Sequence, residues 1–473
     1  MAIDITQVGK FALDDPEIQP LLSDLQGNIF KPHGRKHSAY LLVTFLPDKS
    51  KEIRLWISNF AKKYVTTAAE QVKGARRFRE VKMDAGLFGN FCLSYKGYHI
   101  LGISEEQIPH GKGDTFANGM KEATKLKDPP PEDWEEGYQE EIHALILLAA
   151  NNPELLDFAL SKFTSVLQPL TKKLTVEPGV RWFGPDGIQD IEPFGYADGI
   201  SQPLFFKEEI EEAHQGGYDR WDPAAPLDLV LVKEPNGVGE DSYGSFLVFR
   251  KLEQNVAGWG LRVAELAQAL GTDPKLAGAY AVGRFQDGTP VVLQDHDQGG
   301  GRTADKVTNF NYADDTQADG CDVGSRCPFQ AHIRKTNPRG DTERFIPGAG
   351  PGDFAFERNH RIVRRGVPFG KQPPRGTKPG WPVGLLFTCF QSDIGNQFEL
   401  MQSTWSNSLQ FIRQQTGLDP ISGQGEQLIG GQRWPSKYGD DSAAKVQFDF
   451  SPYVKLLGGE YFFAPSHGFL TSL

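Results

Sequence analysis

Apolar positions along the chain fall into two rounds of one grammar. Tyr40-Leu-Leu-Val-Thr-Phe45 is dense in apolar and β-branched residues and predicts a strand. Ile53, Trp56, Ile57, Phe60 and Tyr64 follow at helical spacing. Phe91–Ile103 predicts strand-like pieces broken at Gly97, and 111–140, polar and rich in acids, predicts a surface loop. His143–Ala149 reads as a buried strand. Asn152 ahead of Pro153 caps a helix whose Leu155, Ala159, Phe163 and Val166 share a face. The second round starts with the strand Gly244–Phe249 and a helix carrying Val263, Leu266 and Leu270. After a long Gly- and Pro-rich excursion, Gly283–Gly380, come the strand Gly384–Phe390 and a helix from Asp393 to about Gln415. That helix carries Phe398, Met401, Trp405, Leu409 and Ile412, and a last strand covers Tyr461–Phe463.

Each round is strand, helix, strands, helix, the order of a ferredoxin-like unit with an antiparallel sheet. The chain is therefore an α+β protein of two such halves, 1–210 and 211–473. The joint falls in Gln202–Asp241, which contains the acidic run Glu208–Glu212. The excursion is too long for a plain connector, and long ordered insertions carry function.

Composition narrows the classes. With 473 residues, 39% hydrophobic and 23% charged, this is an ordinary globular chain with 32 Phe for large aromatic cores. A net charge of −11 argues against nucleic acid as a partner. No apolar run reaches transmembrane length, so no membrane partner is expected. Cys92, Cys321, Cys327 and Cys389 form no C-x-x-C, which excludes zinc ribbons and covalent c-type haem. Cys321 and Cys327 are close enough in sequence to bridge under oxidising conditions. No signal peptide is visible, so the expectation is a cytoplasmic protein, or a secreted one if the chain is a trimmed mature form.

Three stretches carry candidate chemistry. In Cys327-Pro-Phe-Gln-Ala-His332-Ile-Arg334-Lys335-Thr-Asn-Pro338-Arg339, one imidazole sits in an apolar run with cations directly after it. A neutral imidazole in an apolar wall suits a metal or haem iron, and the cations suit carboxylates; the alternative is a core histidine beside a solvated face. In Gly195-Tyr-Ala-Asp198-Gly199-Ile-Ser201, one carboxylate lies among glycines and aromatics, placed either for proton transfer or for an Asx turn. In Arg361-Ile-Val-Arg364-Arg365-Gly366, a guanidinium on a short apolar strand can stabilise charge on an oxygen, or form a surface ion pair.

The ordered combination is specific. Asp-Leu-Gln-Gly-Asn-Ile (24–29), the G-x-x-D-G at Gly195–Gly199, Ala331–Arg339, Arg364–Gly370 and Gly384-Leu-Leu-Phe387 together resemble the dye-decolourising peroxidase family of haem enzymes. The resemblance implies two ferredoxin-like halves of the dimeric α+β barrel type, with haem in the C-terminal half. It implies haem b held non-covalently, His332 as proximal iron ligand, and Asp198 and Arg364 as the catalytic pair. Gly199, Ser201, Arg334, Leu385 and Phe387 would contact haem; Leu385 and Phe387 read equally as strand core. Asp449, or else Asp393, would accept the second N–H of His332. The implied activity reduces hydrogen peroxide and oxidises dyes, phenols and similar aromatic one-electron donors. Its optimum would be acidic, because a carboxylate base stays ionised where an imidazole would not. Large donors would be oxidised at the surface through Trp405, Trp381 or Tyr461, although Trp405 also lies on the core stripe of its helix. A homodimer is an expected assembly. The rival readings are a non-catalytic haem carrier or haem-processing protein on the same fold, and a non-haem metal protein using His332 with His296-Asp297 or His360.

Overall fold

The computed structural model describes residues 3–111, 113–215, 220–298, 308–313, 323–345, 354–374, 376–426, 431–450 and 452–473. In the first half, β1 is His37–Phe45, α1 Ser50–Tyr64, β2 Phe88–Leu93, β3 Ala144–Ala150, α2 Pro153–Leu167 and β4 Thr171–Val180. In the second, β5 is Tyr243–Gln254, α3 Val256–Leu270, α4 His332–Thr336, β6 Val363–Arg364, β7 Val367–Phe369, β8 Gly384–Gln391 and β9 Val454–Ala464.

These strands join one antiparallel sheet in the order β7-β8-β5-β9-β2-β3-β1-β4, with β6 also pairing β8. The halves meet where β9 touches β2 through the single pair Phe463↔Leu93. The sheet curls until its edges approach. A Cβ on Gly179 of β4 would meet Val367 Cγ1 of β7 at 2.7 Å, and Trp182 Nε1 donates to Gly370 O at 3.1 Å. One apolar core runs beneath both halves. A second packs α3 against Trp434 and Phe450. No described helix is long and apolar enough to cross a membrane.

Several local expectations are revised. Phe91–Ile103 is not all strand: after β2, Ser94 caps a short helix, Tyr95–Ile100, by accepting from Gly97 N at 3.0 Å. The 111–140 segment is not a plain surface loop. It lays Phe116, Met120, Leu126, Trp134 and Tyr138 into the core, and Met120 N donates to Glu460 of β9 at 2.9 Å. In α2 the buried stripe is Leu156, Ala159, Phe163 and Leu167, while Val166 is exposed. The helix after β8 stops at Ser406 instead of Gln415. Its two pieces, Gly395–Glu399 and Met401–Ser406, are wide, with bonds that skip five residues, such as Glu399 N to Ile394 O. It stops there because Ser406 O accepts from Asp419 N and from Lys335 Nζ instead of continuing the ladder.

Gly384 opens β8 against Leu252 O, which a Cβ there would meet at 1.9 Å. Gly384→Ala is therefore expected to lower stability by about 1–3 kcal/mol. Thermal unfolding reads this; an unchanged midpoint would mean β8 slides without loss.

Candidate active site

The loop bearing Asp198 needs its glycines. Gly195 and Gly199 have φ of +93° and +76°, a region open mainly to glycine. Asp198 N donates to Asp190 O at 2.9 Å and Gln189 Nε2 to Asp198 O at 2.9 Å, which pins the backbone. The side chain is then held by Gly199 N at 2.6 Å and Arg364 Nη1 at 3.1 Å, both on Oδ1.

Arg364 is aimed by the sheet. Its β6 pairs with β8 so that Arg364 lies opposite Cys389. Leu385 and Phe387 share the Cys389 face of β8 because strand side chains alternate. Both line the cavity that Asp198 and Arg364 also line. Arg364 Nη2 donates to Ile200 O at 2.7 Å and its backbone N to Gln202 Oε1 at 3.1 Å.

His332, the first residue of α4, lines the same cavity. Its Nδ1 donates to Asp419 Oδ2 at 2.8 Å, which leaves Nε2 for the cavity side. The accepting carboxylate is thus neither Asp449 nor Asp393. Asp449 takes the Gln432 N–H at 2.9 Å and Asp393 the Asn396 N–H at 3.0 Å. Asp419 is wholly buried, which alone would raise its pKa. The His332 charge, hydrogen bonds from His332 and Ile421 N, and the Lys335 charge outweigh burial and hold it low. Ser422 Oγ adds a bond at 2.9 Å. The chain signal for Asp419 is slight: 87 residues separate it from His332, and Asp-Pro-Ile-Ser reads as a turn.

Cations collect at one corner. Arg284 Nη2 and Arg339 Nη2 both donate to Ser201 Oγ at 3.0 Å. Arg361 donates to the carbonyls of Arg358, Pro223 and Ala224, and burial together with the Arg358 charge pushes its pKa down to about 9. All three arginines and Ser201 line the cavity. Arg334 does not. It is fully buried, donates to Asp341 at 2.6 Å and to Cys327 O, and so braces the α4 turn instead of meeting a ligand. Gly199 also stays off the cavity wall and serves by its backbone N–H. Glu192, unforeseen from the chain, does line it, and burial pushes its carboxyl up to about 7.

Of the surface relay candidates, only Trp381 is exposed, at 42%. Trp405 is buried beside Phe356 and His360, as its core stripe foretold. Tyr461 is buried in β9 with its hydroxyl donating to Glu399 at 2.8 Å. Neither Trp405 nor Tyr461 reaches the surface. Among the described residues no group of three or more His, Cys, Asp or Glu could hold a metal ion. Cys321 lies outside the described residues, so its pairing with Cys327 does too.

The Arg339 loop carries a titrating brace. Glu357 is 1% exposed and accepts from Gly340 N, from Thr342 N at 2.8 Å and from Thr342 Oγ1 at 2.6 Å. Burial pushes its carboxyl from 4.5 up to about 7, against the pull of those hydrogen bonds. The folded chain then keeps a proton that the unfolded chain releases. Its contribution to stability is full below about pH 4.5 and is lost as pH rises through 7. Glu357→Gln should flatten that decline, up to about 3 kcal/mol, in urea unfolding at several pH values. Parallel curves for the two proteins would refute it.

The donor set suits haem. A planar apolar slot needs one axial nitrogen and cations for two propionates. His332 Nε2, the wall of Leu252, Val282, Ile333, Leu385 and Phe387, and the arginine corner supply these. A curled antiparallel α+β sheet with such a cavity fits the class of haem-binding α+β proteins. The model of the DyP dimeric alpha+beta barrel domain matches residues 24–181. The multifunctional dye peroxidase DyP2 of Amycolatopsis sp. is 34% identical over the whole of both chains. A dye-decolorizing peroxidase of Mycena epipterygia is 31% identical over 80% of this chain and 74% of its own. The crystal structure of the DyP-type peroxidase AnaPX of Anabaena sp. is 41% identical. It superposes with a TM-score of 0.90 over 99% of this chain and 98% of that one. The chain belongs to the dye-decolourising peroxidase family of haem enzymes, and it is a peroxidase.

Proposed function

We propose that the cavity takes haem b without a covalent link: His332 Nε2 would bind its iron, and Arg284, Arg339 and Arg361 would pair with its propionates. The substrates are hydrogen peroxide and aromatic one-electron donors, among them dyes and phenols. Haem, when bound, would supply the redox chemistry for reduction of the peroxide and for one-electron oxidation of the donors. Asp198 takes the proton from one peroxide oxygen and returns it to the other, which leaves as water. Arg364 holds the Asp198 carboxylate in place and stabilises the negative charge that develops on the departing oxygen. Asp419 keeps the Nδ1 proton of His332, fixing the tautomer and making Nε2 a stronger donor. Leu385 and Phe387 keep the pocket apolar, which strengthens the Asp198 and Arg364 charges. Large donors give up electrons at the surface, for which Trp381 is the exposed candidate.

The observation that carries this reading is the Asp198–Arg364 pair facing the same cavity as His332. A haem carrier needs neither residue. The test is the absorption spectrum of haem-reconstituted protein before and after one equivalent of peroxide. A Soret band that shifts at once supports the peroxidase. A Soret band indifferent to peroxide leaves a carrier, and no Soret band removes haem from the account. Turnover of a phenol or dye should persist into the acidic range where an imidazole base would already be protonated; its loss just below neutrality would argue against a carboxylate base. Homodimer formation belongs to the same proposal and is read by light scattering.

A further inference from the structure

Lys335 follows His332 by one helical turn, yet its side chain is fully buried. A buried ammonium is expensive unless its donors are satisfied. Here Nζ donates to three carbonyls: Ser406 at 3.2 Å, Ser408 at 2.7 Å and Gly417 at 2.7 Å. Three donors meet three acceptors, the full capacity of an ammonium. Burial pushes its pKa down to about 7, with Asp419 as the opposing charge.

The three carbonyls are not scattered. Ser406 ends the wide helix whose Met401 and Gln402 line the cavity, Ser408 opens the following loop, and Gly417 closes it two residues before Asp419. Asp419 N donates to Ser406 O at 2.9 Å, and Gly417 N to Leu409 O at 3.0 Å, so the loop is drawn shut at its neck. Lys335 fills that neck. The helix that presents His332 thus also grips the loop that presents its carboxylate.

We infer that Lys335 is a positioning residue for the axial histidine. By tying the Ser406–Gly417 neck to α4, it sets the His332 Nδ1–Asp419 Oδ2 separation and with it the donor strength of Nε2. The inference rests on the haem reading of the preceding section. Without the ammonium, all three carbonyls lose that donor and Ser406 O keeps only Asp419 N, so the neck opens and the carboxylate drifts from the imidazole. Uncharged methionine fills similar space but donates nothing.

The test compares holoenzymes of wild type, Lys335→Met, Asp419→Asn and the double variant. The readouts are the iron–histidine stretching band in the ferrous resonance Raman spectrum and the midpoint potential. Lys335→Met is expected to lower the band and raise the potential by about half or more of the change that Asp419→Asn produces. The double variant should add nothing to Asp419→Asn, because both act through one bond. A merely structural lysine would lower the unfolding temperature but leave band and potential at their wild-type values. That result, or additive shifts in the double variant, overturns the inference. If Lys335→Met fails to fold or to hold haem, Lys335→Arg decides. It keeps the charge but cannot bring three donors to one point, so a lowered band supports the inference and a wild-type band overturns it. Wild-type protein lacking an iron–histidine band would instead overturn the haem reading itself.

Discussion

Arg364→Leu is expected to slow the reaction with peroxide by roughly two to three orders of magnitude while haem stays bound. In the proposed mechanism the guanidinium has two jobs that leucine cannot do. Its Nη1 lies 3.1 Å from Asp198 Oδ1, so it would orient the base, and its guanidinium would meet charge building on oxygen. The backbone of β6 should survive the change, because it is tied to β8 by main-chain bonds such as Arg365 N to Thr388 O at 2.7 Å, which do not involve the Arg364 side chain. Asp198→Asn should slow the same step by roughly two to four orders of magnitude, since the amide cannot accept and return the proton. Stopped-flow absorbance after mixing with peroxide measures both. Rates within a few fold of wild type would make the pair a structural contact and remove it from the chemistry. The double variant should be little worse than the poorer single variant, because residues acting as a unit are not additive.

Asp419→Asn should weaken haem retention by roughly ten- to a hundredfold. The buried carboxylate accepts from His332 Nδ1 at 2.8 Å and from Ser422 Oγ at 2.9 Å through Oδ2, and from Ile421 N at 2.8 Å through Oδ1. An amide keeps one acceptor but turns an N–H toward donors that already carry hydrogen. Asp419→Ala goes further and strands the imidazole N–H and the turn N–H groups in a dry site, at about 3–5 kcal/mol. Transfer of haem to excess apomyoglobin measures the first effect and urea unfolding the second. Wild-type retention in Asp419→Asn would mean that the imidazole does not depend on its carboxylate.

What the chain disclosed in advance follows from range. Strands such as Tyr40–Phe45 and the stripe Val263, Leu266, Leu270 were legible because their burial patterns are local. His332, Asp198 and Arg364 stood out because unusual chemistry sits in short apolar or glycine-rich runs. Asp419 did not, because its role comes from a loop closure fixed by Lys335 and Ser406. Arg334 misled because a cation beside an axial-type histidine suits a propionate, yet Asp341 seven residues on is nearer. The helix to Gln415 was overextended because the apolar spacing runs on through Leu409 and Ile412, whereas Ile412 has φ of +64° and cannot continue it. Tyr138 and Trp134 lie among acids and prolines, which hid a segment that packs against the sheet.

β9 lies between β5 and β2 at the middle of the sheet, although it is the last strand in chain order. During synthesis the halves therefore have no shared strand until residue 464 has left the ribosome. A chain cut short before residue 454 would leave two open strand edges at the seam. Such edges recruit other chains. Loss of β9 should thus produce aggregates in the cell and not a trimmed enzyme.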